Sequence, residues 1–458
     1  MADYQLIIIG GGLSGIAAGI RAARFGLKTL VLEQHTIPGG LNSYYFRQGK
    51  MLETGLHAMT NFAAAGEKRA PLNRLFRQLK LSRKGFAAHE QEHSLIRYPE
   101  ATLAFANDAA VLEQEVARVF PHAVDRFLDF KKAVSAYDPF SPKPWASARS
   151  FLREQLQEPL LEEMLLLPLM VYGNAEEHDM DLGQFVIMFR SIFEEGLFRP
   201  AGTIREFLDM LLEQYQSFGG EIRYRSAVDE VLRDHGQVTG VKLADGTKIT
   251  AESILSTVGM PETIRLIGWD TPGKAYDGQM SFMETVAVVD AKARELLDAR
   301  ATIMFYNQQS SLQYRQPADY MNTTWGVICF PENFQGIARE DTFQVRTTHS
   351  ANYSMWKAAD KKEYRQLKEQ CAARAVKTAE QLIGPYADHI VYQDSFTPIT
   401  IERFTRKAGG AIYGSPVKIK DGTTPWSNLF IAGTDQGYLG IVGAMLSGVT
   451  VVNQHILQ

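Results

Sequence analysis

Gly10, Gly12 and Gly15 stand at Gly-x-Gly-x-x-Gly spacing in the stretch LIIIGGGLSGIAAGIRAARFGLKTLVLE, Leu6 to Glu33. That pattern suits a dinucleotide. Gly10 permits a tight turn, Gly12 lets the backbone approach a pyrophosphate, and Gly15 lets a helix pack close to a strand. Leu13 and Ser14 open the helix. Its first N–H groups are unpaired, and its dipole turns positive charge towards phosphates. Glu33 ends the next apolar run, where a carboxylate accepts hydrogen bonds from a ribose. The glycines carry this reading because of their flanks. Leu6–Ile9 reads as a buried strand, the Ala-rich stretch as a helix and Thr29–Leu32 as a second strand.

The whole chain must position that turn. Its 458 residues suit two or three domains, and these can interleave. Hydrophobic residues make up 45% and charged residues 22%, the balance of a soluble globular protein. A net charge of −4 gives no footprint for nucleic acid, and none is expected as a partner. Cys329 and Cys371 are too few for a disulfide framework or a zinc site, so no metal is expected. A reduced cytoplasm is the simple reading of so few cysteines. No apolar run reaches the roughly 18 residues of a membrane span. The first strand starts at once, which leaves no room for a signal peptide.

The segment after Glu33 reads QHTIPGGLNSYYFRQGKMLETGLHAMTNF. Its Gly39-Gly40-x-x-Ser43 step resembles the second half of the FAD motif in the flavin amine oxidase and phytoene desaturase superfamily. The resemblance implies that Gly39 and Gly40 bring backbone N–H groups to the pyrophosphate a second time, with Leu41 and Ser43 beside them. The family often has Arg where this chain has Leu41, so no arginine–phosphate contact is implied there. Gly55 matches the family's D-x-G turn, with Glu53 in place of Asp. His57 follows in a part of the family that faces the flavin.

Two further segments agree. Phe218 to Val258 alternates apolar and polar residues, with turns at His235-Gly236 and Asp245-Gly246, and reads as a β-meander. By resemblance it follows the helix opened at Pro200-Ala201-Gly202, and Val228 presents its backbone to adenine. Its last strand, Ser253 to Val258, is expected to return to the nucleotide sheet. The C-terminal stretch NLFIAGTDQGYLGIVGAMLSG looks like the closing flavin motif. There a strand at Leu429–Ala432 runs into Gly433-Thr434-Asp435, and Gly443 and Ala444 open a final helix. Thr434 or Asp435 contacts the ribityl chain, and the helix N-terminus faces the flavin C2 carbonyl, with Ile441 and Val442 beside it.

The fold expected is α/β: a discontinuous Rossmann-type FAD-binding domain, 1–70, 200–270 and 395–458, with an inserted α+β substrate domain, 71–199 and 271–394. The part 71–199 reads as mostly helical. Val111–Phe120 and Val124–Val134 repeat apolar residues at helical spacing. The apolar stretches Leu160–Met170 and Phe185–Phe198 are either core, the lining of an apolar substrate site, or a surface dipping into a membrane. The second insertion alternates near Thr285–Val289, Thr302–Tyr306 and Thr324–Phe330, as a sheet forming one wall of the site would.

Within the superfamily the chain resembles the phytoene desaturase, carotenoid isomerase and retinol saturase branch. TPITIERFTRKAGGAIYGSP, Thr397 to Pro416, looks like the branch's segment before the last flavin motif. Arg403 and Tyr413 in it are read either as site residues or as a buried arginine pair and a packed ring. Amine oxidases usually carry an aromatic residue where this chain has Ile441, as one wall of an amine cage. The resemblance implies an FAD-dependent oxidoreductase that desaturates, saturates or isomerises an apolar polyisoprenoid, with His57 and Ile441 as flavin-face candidates. Such a substrate makes peripheral membrane contact by a cytoplasmic protein an expectation. The alternatives are a flavin amine oxidase or NAD(P)H-using flavin reductase acting on a small soluble substrate, and a non-catalytic flavin-binding protein.

Overall fold

The computed structural model describes residues 2–84, 86, 88–141, 143–271, 273–298 and 300–458. Its first strand, Tyr4–Ile9, lies between Thr29–Leu32 and Lys248–Ser256, parallel to both, with Ile7 opposite Leu30 and Ile254. Successive side chains of a strand point to opposite faces. Leu6 and Ile8 accordingly enter one core with Ile16, Ile20 and Leu211, while Ile7 and Ile9 enter another with Val231, Val238 and Leu243. Helices cover the first face and the meander folds across the second.

The meander forms as its turns foretell, over Val228–Asp234, Gln237–Leu243 and Lys248–Ser256. Its last strand serves both structures. The Lys248–Ala251 half alternates exposed and buried and pairs antiparallel with the preceding strand, Thr250 opposite Gly240. The Ile254–Ser256 end is buried throughout and runs parallel between the first strand and Leu429–Ile431. A strand covered on both faces reads as a continuous apolar run, and a half-exposed one alternates.

A second seven-stranded sheet runs in the order Ile390–Phe396, Ser281–Asp290, Thr342–Ala351, Trp325–Cys329, Ile303–Asn307, Ser94–Arg97, Thr102–Phe105. Ser281–Asp290, Ile303–Asn307 and Trp325–Cys329 are the strands expected in the second insertion, and Thr342–Ala351 between them is not among those expected. The part 71–199 is mostly helical, as read, but it also contributes the last two strands, which are not among those expected. Ser94–Arg97 and Thr102–Phe105 alternate buried and half-buried residues around a turn at Pro99, and Ile96 pairs with Phe305. Ala88–Glu90 and Leu197–Pro200 are also strands.

The apolar stretches resolve as core. Leu165, Leu166, Leu167, Met170, Phe185 and Phe189 are all fully buried in one cluster. They are not an exposed surface that could enter a membrane, which removes the sequence feature behind that expectation. Just past the first stretch, Val171 and Tyr172 line a cavity. Among the described residues, no helix is long and apolar enough to cross a membrane.

Candidate active site

The two glycine turns lie side by side. The Gly39 N–H donates to the Gly11 carbonyl at 2.8 Å. A Cβ on Gly40 would stand 3.5 Å from the Gly12 Cα. Two of the fingerprint glycines are needed for packing. A Cβ at Gly10, where φ is +106°, would meet Thr257 Oγ1 at 2.7 Å, and one at Gly15 would meet the Gly10 carbonyl at 2.1 Å. Gly12 differs, since a Cβ there would meet nothing within 4 Å. That open space adjoins the N-terminus of the helix Leu13–Ala23, which has no side-chain cap and no acid in its first turn. Ser14 Oγ is buried there without a hydrogen-bond partner in the protein. Buried hydroxyls are rarely left so. Free amides, an orphan hydroxyl and a vacant Cβ position fit a pyrophosphate, so the residues suit a dinucleotide.

Glu33 is 7% exposed and braces this turn. Its Oε2 accepts from Gly11 N–H at 2.8 Å and its Oε1 from His35 N–H at 2.7 Å. A carboxylate has further lone pairs, and Glu33 lines the large cavity. Gly40, Leu41 and Ser43 line it too. Leu13 and Val442 pack in the core beneath, and Val228 pairs with Leu243 at the start of the meander. None of these three lines the cavity.

The closing motif separates Thr434 from Asp435. Asp435 is fully buried, and its carboxylate accepts from Met260 N–H at 2.6 Å and Ser415 N–H at 2.9 Å. Burial alone would raise the Asp435 carboxyl, but Lys407 and Lys418 outweigh it and hold it below the ordinary value. Asp435 is thus a clasp between three segments, and Thr434 is the one that lines the cavity. The last helix starts at Gly440, earlier than the Gly443 expected, and runs to Val451. Its N-terminal turn places Leu439, Gly440, Ile441 and Ala444 in the cavity wall. Gly433 lies close to Ser14, a Cβ on it falling 3.8 Å from the serine side chain.

This cavity encloses about 1000 Å³, the upper end of the usual range for small-molecule sites. Besides Ile441 its lining includes Tyr172, Phe282, Val327, Ile412 and Tyr413. The Tyr413 ring packs edge-on to Phe282, and its hydroxyl donates to the Val171 carbonyl. Tyr413 is therefore both a packed ring and a wall. Arg403 is not a buried arginine. It is exposed at the cavity edge with its guanidinium 5.4 Å from the Phe404 ring centroid.

Residues 13–270, more than half of the chain, match the family model for flavin containing amine oxidoreductase. The chain belongs to that family. FAD is its cofactor, in keeping with the cradle above. Prolycopene isomerase from Arabidopsis thaliana is 24% identical over 90% of this chain and 74% of that protein. The lycopene-forming phytoene desaturase of Pseudescherichia vulneris is 26% identical over 59% of each. An oxidoreductase from Methanosarcina mazei superposes with a TM-score of 0.68 at 14% identity, covering 98% of this chain and 100% of its own. That likeness shows a shared α/β fold.

In this flavoprotein the segment after the second glycine pair carries two polar residues with different work, Glu53 and His57. Glu53 Oε2 accepts from Arg199 Nη2 at 2.5 Å, and its Oε1 accepts from Ile204 N–H at 2.7 Å. It therefore stabilises the N-terminus of the helix Ile204–Ser217. His57, expected at the flavin face, lines the cavity with its Nε2 2.9 Å from Glu284 Oε2. Glu284 in turn holds Arg346, Nε to Oε1 at 2.7 Å. Sequence reasoning missed Glu284 and Arg346, which lie in adjacent strands, Ser281–Asp290 and Thr342–Ala351. A charged residue inside each apolar strand pattern was the available signal.

Proposed function

We propose that this flavoprotein oxidoreductase acts on an apolar polyisoprenoid of the carotenoid or retinoid kind, by desaturation, saturation or isomerisation. The observation that carries the reading is the apolar part of the cavity lining, where Ile441 is joined by Val171, Phe282, Val327, Ile412 and Tyr413. An ammonium substrate would want a free carboxylate or an aromatic cage. Ile441 is aliphatic, and Glu284 is already engaged by Arg346 and His57. The similarity to an isomerase and a desaturase of carotenoids supports the same substrate class.

Bound FAD supplies a two-electron hydride acceptor or donor. The rest is the protein's. Gly10 and Gly15 keep the turn and the helix close, Gly12, Gly39 and Gly40 would admit the pyrophosphate, and Ser14 Oγ would donate to it. Glu33 receives the ribose hydroxyls, Val228 offers its backbone to adenine, and Thr434 holds the ribityl chain. The N-terminus of the last helix stabilises negative charge on the reduced ring. The segments 1–70, 200–270 and 395–458 make the FAD-binding half, and 71–199 with 271–394 makes the substrate half. The apolar wall excludes water from the reacting carbons.

The test is product analysis. The holoenzyme is incubated with carotenoid and retinoid isomers, with the flavin oxidised or chemically reduced, and products are separated by chromatography and weighed. Loss or gain of a hydrogen pair, or a new isomer of equal mass, supports the reading. Unchanged polyenes in every arm, together with oxidation of an amine, would overturn it.

A further inference from the structure

Two groups in the chamber wall serve neither the cofactor cradle nor simple packing. They are the imidazole of His57 and the carboxylate of Glu284 behind it. Glu284 is 3% exposed and Arg346 is fully buried beside it. Arg346 does more than neutralise the acid. Its Nη2 donates to the carbonyls of Glu53 and Thr54 at 3.1 and 2.8 Å, and its Nη1 to that of Leu56 at 3.4 Å. One guanidinium thus ties the segment that carries His57 to the strand that carries Glu284. Arg199 is the other charge at hand, donating to the His57 carbonyl at 3.3 Å.

This arrangement dictates a tautomer. Burial alone would push the Glu284 carboxyl up, but Arg346 and then His57 outweigh it and hold it below the ordinary carboxylate value. An ionised carboxylate only accepts. The His57 Nε2 at 2.9 Å from it must therefore carry a proton. Thr348 Oγ1, 3.4 Å from the same nitrogen, leaves that assignment in place. In the singly protonated ring that this bond selects, Nδ1 bears the lone pair. Nδ1 makes no hydrogen bond among the described residues, and His57 lines the cavity.

We propose that Glu284 and Arg346 are positioning residues that fix His57 in its Nε2–H form, and that the bare Nδ1 exchanges the reaction's proton with a substrate carbon. The chemistry balances. When a double bond forms, one C–H bond gives up its electron pair as hydride to the flavin. The neighbouring C–H gives its proton to Nδ1, and the electron pair left behind becomes the new π bond. The imidazolium then faces Glu284, which offsets its charge. In the reducing direction Nδ1–H returns the proton. A hydrocarbon substrate brings no base of its own, so the proton must pass to a group in the wall. The identity of the carbon rests on the polyisoprenoid reading, but the tautomer does not.

The first test is nitrogen NMR of the wild-type holoenzyme with ring-labelled histidine, the His57 signals being assigned by difference from His57→Gln. We expect Nδ1 in the imine-type range and Nε2 in the protonated range near neutral pH. The opposite tautomer, or a doubly protonated ring, would overturn the proposal. The second test is Glu284→Gln, which keeps an acceptor at Nε2 but removes the charge. We expect kcat to fall about ten- to a hundredfold, with KM within about twofold and flavin content unchanged. Unchanged kcat in flavin-loaded Glu284→Gln or His57→Gln would contradict it. If the tautomer is as stated but no polyene reacts, the substrate reading fails and the positioning role stands.

Discussion

A side-chain carbon on Gly448 would stand 2.1 Å from the carbonyl oxygen of Ser14. The first and last helices meet through that gap, so the two ends of the chain build one cofactor cradle. Gly448→Ala forces them apart. Overpacking of this kind costs about 1–3 kcal/mol. Because the clash falls on Ser14, FAD affinity falls together with the melting temperature of the apoprotein, which calorimetry and flavin titration read separately.

Gly12→Val separates the same two quantities. No protein atom lies within 4 Å of a Cβ at this position. The variant should therefore fold with a melting temperature near that of the wild-type apoprotein, yet purify without flavin, because the valine fills the space of the pyrophosphate. The ratio of visible to ultraviolet absorbance checks this. A yellow Gly12→Val protein would place the pyrophosphate elsewhere.

Asp435 gives a pH dependence. Its carboxyl is lowered in the fold from an ordinary value of 3.8. A depressed acid contributes stability that is fully present above its unfolded value and is lost as pH falls through the folded one. Wild-type stability should thus decline below pH 3.8 in part through this group. Asp435→Asn should flatten that part of the acid limb and cost about 1–3 kcal/mol near neutral pH, since an amide cannot accept from both Met260 and Ser415 with its nitrogen in place of an oxygen. Denaturant melts at several pH values measure both.

How much of this was legible in the sequence varied with the kind of contact. The glycine turns, Glu33 and the meander are local signals, each written in a few adjacent residues, and they fold as read. Asp435 and Thr434 are neighbours with the same polar character, and only the approach of Met260 and Ser415 tells the clasp from the cavity residue. The strands at Ser94 and Thr102 were hidden among helices because each is only four residues long. Glu284 and Arg346 come together through pairing of distant strands, which no local pattern records.

Ile441→Tyr tests the chamber. Ile441 is 3% exposed and lines the cavity at the start of the last helix. A ring there narrows the apolar passage without touching the pyrophosphate turns. Turnover of a polyene should fall about tenfold or more, through KM as well as kcat, while flavin content stays at the wild-type level. Steady-state kinetics with a flavin assay on the same sample reads both.

The most direct test of the central claim is the visible spectrum of the oxidised holoenzyme under anaerobic conditions, during titration with a polyisoprenoid and, separately, with an amine. An apolar site at the flavin predicts that the polyisoprenoid shifts or bleaches the flavin band saturably and that the amine leaves it unchanged. Bleaching by the amine, with no response to the polyisoprenoid, would contradict the account.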